Sequence, residues 1–241
     1  MGTYLIPVIM HFIGDFYLQT SKVARCKNAN IGKDCNSCSS CKKNAFINIK
    51  YIAIHTLLYV VPFLFIFLMT KWVNALLAII AVCLSHCIVD IITCFLNKKT
   101  KHTLVFALDQ ALHIVIIIGL FKLLEVDTGV SEYEFAIKTI LIILILLAPS
   151  SVFINKLFDD LFPESGQGKI FDVGSIIGMF ERALTLIFAY FGNFAAIAII
   201  ITVKTWARSN DLKEPAFRNK YLLGTLASLV LALVTFLLYK I

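Results

Sequence analysis

The chain has 241 residues, 59% of them hydrophobic and 15% charged, with a mean hydropathy of +0.87. That composition excludes an ordinary soluble domain and describes an integral membrane protein. The formal charge of +7 sits mainly in loops, where it reports topology and attraction to anionic lipid headgroups; it is not the footprint of a nucleic-acid binder.

A helix needs about 20 apolar residues to cross a hydrocarbon core of about 30 Å. Runs of this kind cover 3–19, 51–70, 72–96, 103–121, 135–155, 173–191, 193–207 and 220–239. Each is continuously apolar, whereas outer-membrane strands alternate with a two-residue period. No basic residue precedes the first run and no small-residue cleavage pattern follows it, so it reads as a retained helix and not as a secretory signal. Gly192 and Asn193 separate two short runs that together could form one bent hairpin. The expected fold is therefore all-α, a polytopic transmembrane bundle of seven or eight helices. A four-helix unit is expected over 1–124 and a second helical unit over 125–241.

Segment 20–50 carries seven basic residues against the single acid Asp34. The positive-inside bias places it in the cytoplasm and the amino terminus outside. Threading onward, "NKKTKH" at 97–102 returns inside and the acidic 122–134 falls outside. Segment 204–220, with five basic residues against two acids, falls inside. Segment 155–172 dissents, with four acids and two lysines, but acids contribute little to this rule.

Four of the five histidines lie inside apolar runs: His11, His55, His86 and His113. Three have an aspartate four residues away, pairing His11 with Asp15, His86 with Asp90 and His113 with Asp109. Four residues is about one helical turn, so each pair projects from one helix face. His55 has Tyr59 in the equivalent place, and Gln19 extends the first face. The proposed threading brings all seven groups to the cytoplasmic leaflet, the aspartates nearer water and their histidines deeper. Ionisable groups in a membrane cost at least a few kcal/mol each, so they must face one another or a polar cavity. Imidazole and carboxylate are also the ligands that zinc, manganese and iron accept. The expected site is thus a divalent metal, zinc foremost, held by His11, His55, His86, His113, Asp15, Asp90 and Asp109, with the aspartates available as general bases. The bland alternative is that each pair is a structural hydrogen bond between helices.

"CKNANIGKDCNSCSSC" holds Cys26, Cys35, Cys38 and Cys41 in the segment placed in the reducing cytoplasm. Four thiolates suffice for a tetrahedral structural zinc, and a disulfide is disfavoured there; an iron–sulfur cluster or reduced thiols are the alternatives. Cys83, Cys87 and Cys94 read as small core residues. In the second half, Glu181 and Arg182 lie about nine residues inside the cytoplasmic face, and Arg182 offers a fork for a phosphate or carboxylate headgroup. An internal Glu–Arg neutralisation is the competing reading there. Gly174, Gly178, Gly224 and Ser228 fit close helix packing.

Blocks "HFIGDFYLQTSKVA", "IHTLLY", "SHCIVD" and "LDQALHI", followed by "GSIIGMFERALTL", "ITVKTWAR" and "YLLGTLAS", resemble domain of unknown function 3307, a family of bacterial integral membrane proteins, along almost the whole chain. The resemblance implies a bacterial inner-membrane location and no particular chemistry. The His-Asp blocks are more weakly similar to predicted membrane-bound metal-dependent hydrolases, which would make the same seven residues the working site; the cysteine insertion is not part of either pattern.

Three functions are open at this stage. The first is an intramembrane metal-dependent hydrolase acting on a lipid-like substrate. The second is a proton-coupled or ion transporter, and the third a membrane adaptor built on a zinc-binding cytoplasmic loop. No glycine-rich phosphate loop, G-x-S-x-G elbow or H-E-x-x-H motif points to soluble catalysis.

Overall fold

Within a bilayer every backbone N–H and C=O must find its partner inside the protein, which leaves helices as the natural solution for continuously apolar runs. The computed structural model describes residues 4–27, 48–70, 73–96, 101–129, 131–162 and 173–240, and no strand occurs among them. The α-helices are α1 Leu5–Phe12, α2 Ser21–Lys27, α3 Asn48–Thr70, α4 Val73–Leu96, α5 His102–Leu123, α6 Glu134–Leu161, α7 Val173–Tyr190, α8 Phe194–Ala207 and α9 Pro215–Lys240. Helices α3, α4, α5, α6, α7 and α9 are long and apolar enough to cross a membrane. The protein is a multi-pass, all-helical membrane protein.

Two of the eight expected spans differ from a simple crossing. Leu5–Tyr17 and Phe194–Ala207 are shorter apolar helices, and at 1.5 Å per residue each rises only about 20 Å. The first is also irregular, because α1 gives way to a π-helical turn at Ile13–Tyr17. The break between α7 and α8 follows from Gly192, whose φ of +69° is available to glycine at little cost. Asn193 then caps α8, its side-chain oxygen accepting from the Ala196 N–H at 3.2 Å.

Contacts divide the chain into two units, Met1–Leu141 and Ile142–Ile241, with the boundary inside α6. In the first unit α4 packs against both α3 and α5, and α1 with its π turn packs on α3. The buried stripe of α3 runs Ile52, His55, Tyr59, Phe63 and Ile66; that of α4 includes Ala75, Ala78, Ile79, Val82, His86, Val89 and Asp90. Leu57, Val61, Leu64 and Leu68 on α3, with Leu84, Ile88 and Ile92 on α4, point outward. Lipid therefore meets leucine and isoleucine while histidine and aspartate share the inward stripe.

Gly14 lets the π turn approach α3. A Cβ there would lie 2.9 Å from Tyr59 Cδ2, 3.1 Å from its Cα and 3.2 Å from its carbonyl oxygen. Two of those atoms are backbone and cannot swing aside. Gly14→Ala should push the two elements apart and destabilise the unit by about 1–3 kcal/mol, as overpacking does. A thermal midpoint in detergent unchanged from the native protein would contradict this.

In the second unit α7 packs on α8 and α9. Ala189, Ile197 and Phe236 form a small core with Leu186, Phe188, Ile201, Leu229 and Leu233 around it. Pro149 lies inside α6; it has no N–H to offer the carbonyl of Ile145, four residues earlier. The Ser150 hydroxyl donates to that carbonyl instead, at 2.8 Å.

Candidate metal centre

The π turn sets the geometry of the first pair. Inserting a wider i→i+5 turn between His11 and Asp15 re-aims the carboxylate, and the two residues take partners on other helices. The His11 ring places Nδ1 at 3.1 Å from the Tyr59 hydroxyl and Nε2 at 3.2 Å from Gln110 Oε1. Gln110 Nε2 donates to Asp15 Oδ2 at 2.9 Å and to Asp109 Oδ2 at 3.1 Å. Two carboxylates fix the amide with its NH2 toward them, so its oxygen must accept from His11 Nε2–H. Neutral His11 then accepts the Tyr59 proton at Nδ1. His11 and Asp15 thus meet through Gln110.

Asp15 Oδ1 lies 3.1 Å from His55 Nε2, which in turn lies 3.0 Å from His86 Nε2. Asp90 Oδ2 is 3.4 Å from His55 Nε2 and 3.6 Å from His86 Nε2. His113 Nε2 is 3.4 Å from Asp109 Oδ1. The rings are packed closely: Tyr59 stacks on His86 with centroids 3.7 Å apart and planes within 3°, and His113 lies 4.4 Å from His86 on centroids. His11 and His55 are 0% exposed, His86 1% and His113 2%, so no bulk water reaches their nitrogens.

Two donor sets have ligand atoms within 4.8 Å of one another, Asp15 with His55 and His86, and His86 with Asp90 and His113. His86 belongs to both. The seven residues expected from the sequence are thereby brought into one cluster on α1, the π turn, α3, α4 and α5. His11 and Asp109 belong to neither donor set: both nitrogens of His11 are engaged by Tyr59 and Gln110, and Asp109 joins through Gln110 and His113.

Three residues of the cluster carried no role in the sequence reading. Lys27, the last residue of α2, donates to Asp90 Oδ2 at 2.9 Å with its side chain only 9% exposed. Burial alone would lower its pKa, but the neighbouring carboxylates of Asp90 and Asp15 outweigh burial and raise it, so the ammonium stays charged. The signal was present as a lysine eight residues past the first polar face, but it was counted only toward topology. Gln110 stands next to Asp109 and was overshadowed by it. Tyr59 was noticed for its spacing from His55 and given no partner.

The donor atoms fit a cation. Around His55 Nε2 and His86 Nε2 stand two carboxylate oxygens, and among the described residues the imidazoles and the Lys27 ammonium bring the nearby hydrogens. Among the described residues the carboxylates of Asp15, Asp90 and Asp109 are joined by the single ammonium of Lys27, and carboxylates in a low-dielectric interior favour a further cation.

A family model described as "Protein of unknown function (DUF3307)" matches residues 4–142. That is more than half the chain and takes in every member of the cluster. The protein belongs to the DUF3307 family. In this DUF3307 protein the matched stretch ends at the boundary of the first structural unit, so the cluster and the matched residues fall in one unit. The later blocks "GSIIGMFERALTL", "ITVKTWAR" and "YLLGTLAS" lie outside the matched residues. No curated protein and no solved structure matches the chain.

The remaining candidates of the DUF3307 chain stand apart from this cluster. Glu181 pairs with Lys204 at 2.7 Å, in place of the Glu181–Arg182 neutralisation considered above. Arg182 is buried and donates to the carbonyls of Leu146 at 2.6 Å and Leu147 at 3.1 Å, and to the hydroxyls of Ser151 at 2.5 Å and Ser228 at 3.3 Å. Cys35, Cys38 and Cys41, and the side chain of Cys26, lie outside the described residues. Cys83 and Cys87 are free thiols, and Cys94 Sγ donates to the Lys27 carbonyl at 3.3 Å. Gln19 Nε2 is buried without a hydrogen-bond partner among the described residues.

Proposed function

We propose that the first unit holds a divalent metal ion, zinc foremost, between Asp15, His55 and His86, and that the protein is a metal-dependent hydrolase of a lipid-like substrate at the cytoplasmic side of a bacterial inner membrane. The observation that carries this reading is the convergence of buried imidazole and carboxylate ligand atoms in one cluster. When bound, such an ion supplies Lewis acidity and lowers the pKa of water. The chain supplies the rest. Gln110, oriented by two carboxylates and by His11, holds Asp15 in place, as an outer partner of a ligand should. Asp109 is the most exposed of the three carboxylates, its side chain 14% exposed against 8% for Asp15 and 3% for Asp90, which suits it to take a proton from an attacking water. The apolar walls of α3, α4 and α5 suit acyl or prenyl chains, and the basic residues of 20–50 support a cytoplasmic position for that end with the amino terminus outside. Glu181 and Arg182 would have to give up their present partners to bind a headgroup.

A second reading, proton conduction, is favoured by the connected chain Tyr59, His11, Gln110, Asp15, His55 and His86. Its weak link is Gln110, because a carboxamide holds its protons and cannot pass them on as an imidazole does.

Metal analysis of detergent-purified protein separates these. The native chain should retain a divalent ion that Cys35→Ser/Cys38→Ser leaves at the cluster and His55→Ala removes. Metal that follows only the cysteines would defeat the hydrolase reading and turn attention to proton flux in vesicles.

A further inference from the structure

Three protein ligands with one side left open mark a catalytic zinc site, whereas four close it into a structural one. The centre proposed above has Asp15, His55 and His86, and a fourth candidate atom stands beside them. Zinc ligands at about 2.0–2.1 Å in a tetrahedron lie about 3.3 Å from one another. His55 Nε2 is 3.1 Å from Asp15 Oδ1 and 3.0 Å from His86 Nε2, while Asp90 Oδ2 is 3.4 Å from His55 Nε2 and 3.6 Å from His86 Nε2. Asp90 is as near both imidazoles as a fourth ligand would be, yet the same Oδ2 already accepts from the Lys27 ammonium at 2.9 Å. We infer that Lys27 is a positioning residue that competes with a single metal ion for Asp90 Oδ2, and so leaves the centre with three protein ligands and an open side. The inference rests on the metal reading above.

The competition is electrostatic. An oxygen that held a divalent ion at about 2.0 Å and an ammonium at hydrogen-bond distance would bring two positive charges to about 4 Å, where they repel strongly in an interior poor in water. The ion has Asp15 and two imidazoles to hold it; the hydrogen bond of the ammonium is to Asp90. Lys27 is fixed in this role at two points by one face of α4. Asp90 takes its ammonium, and Cys94, one turn further along, donates its thiol to the Lys27 carbonyl at 3.3 Å. With its side chain only 9% exposed, bulk water does not replace Asp90 as the partner of the ammonium. The opposite arrangement, in which Asp90 ligates the ion and Lys27 steadies it as an outer partner, differs in the sign of what removing Lys27 does.

The test combines zinc affinity, by competition with a chromophoric chelator, with the response of the cobalt-loaded protein's visible spectrum to azide. It uses the full-length protein with Cys26, Cys35, Cys38 and Cys41 replaced by serine in every sample. The centre with Lys27 present should take azide at its open side. Lys27→Met should tighten zinc by about tenfold or more, because the ion loses a repelling charge and gains Asp90, and should lose the azide response. Lys27→Met/Asp90→Asn should restore that response and return zinc to within about tenfold of the starting affinity. If Lys27→Met leaves zinc unchanged, or weakens it by the roughly 10–100-fold that loss of an outer partner costs, the inference is overturned and the metal reading survives. Tighter zinc with the azide response kept also overturns it, since the ammonium then only repels the ion. So does a centre that azide fails to perturb while Lys27 is present. No metal in any sample overturns both readings. Should Lys27→Met not fold, the double variant, which leaves neither partner of the pair charged and alone, decides the matter. Zinc near the starting affinity with the azide response supports the inference, and loss of zinc overturns it.

Discussion

His86→Ala is expected to abolish metal retention and, with it, the proposed hydrolysis. His86 is the only residue common to both donor sets, and its Nε2 lies 3.0 Å from that of His55. Its loss should weaken the metal by more than the roughly 10–100-fold that removal of an outer hydrogen-bonding partner costs. Gln110→Ala supplies that comparison, because Gln110 touches Asp15 and His11 but offers the ion no imidazole or carboxylate. The ratio of the two zinc affinities, measured by competition with a chromophoric chelator, therefore reads whether His86 is a ligand. Equal effects would mean that both residues merely hold the helices together. His86 also stacks on Tyr59 at 3.7 Å, so a modest fall in thermal midpoint accompanies the loss; His86→Gln, which keeps more of the side-chain volume, should lose metal with less of that fall.

How much of this was legible in the sequence varies residue by residue. Eight apolar runs appear as eight apolar helices because continuous hydrophobicity in a membrane leaves few alternatives to a helix. The i, i+4 pairs His86 with Asp90 and His113 with Asp109 lie 3.6 and 3.4 Å apart, since a straight helix preserves that neighbour relation. His11 and Asp15 carry the same spacing and do not behave alike, because the π turn between them has no clear composition signal beyond Gly14. Partners across helices, such as Asp15 with His55, depend on which helices pack side by side, and periodicity within one helix holds no such information. Lys27 was hidden for another reason. Positive charge after a span is the ordinary topology signal, so one basic residue of seven that turns back into the cluster looks like its neighbours.

Arg182→Met is expected to lower stability by about 2–3 kcal/mol, since each buried polar group left without a partner costs about 1–3 kcal/mol and the hydroxyls can turn elsewhere. The sequence offered Arg182 as a headgroup ligand; its present bonds serve α6. Pro149 cannot donate to Ile145, and the turn around it presents the carbonyls of Leu146 and Leu147, which the guanidinium fork meets with Nε and Nη2. Ser151 and Ser228 complete the cradle. Methionine matches the length of the stem and keeps the packing while removing the donors, so the loss reports the bonds. All seven His and Asp residues of the cluster belong to the other unit, and zinc content should be unchanged in this variant. Two readouts then separate support of the helix from recognition of substrate. A lower thermal midpoint with an unchanged KM for the proposed reaction assigns Arg182 to the support of α6. An unchanged midpoint with a raised KM assigns it to a headgroup, and would mean that α6 satisfies its carbonyls without the guanidinium.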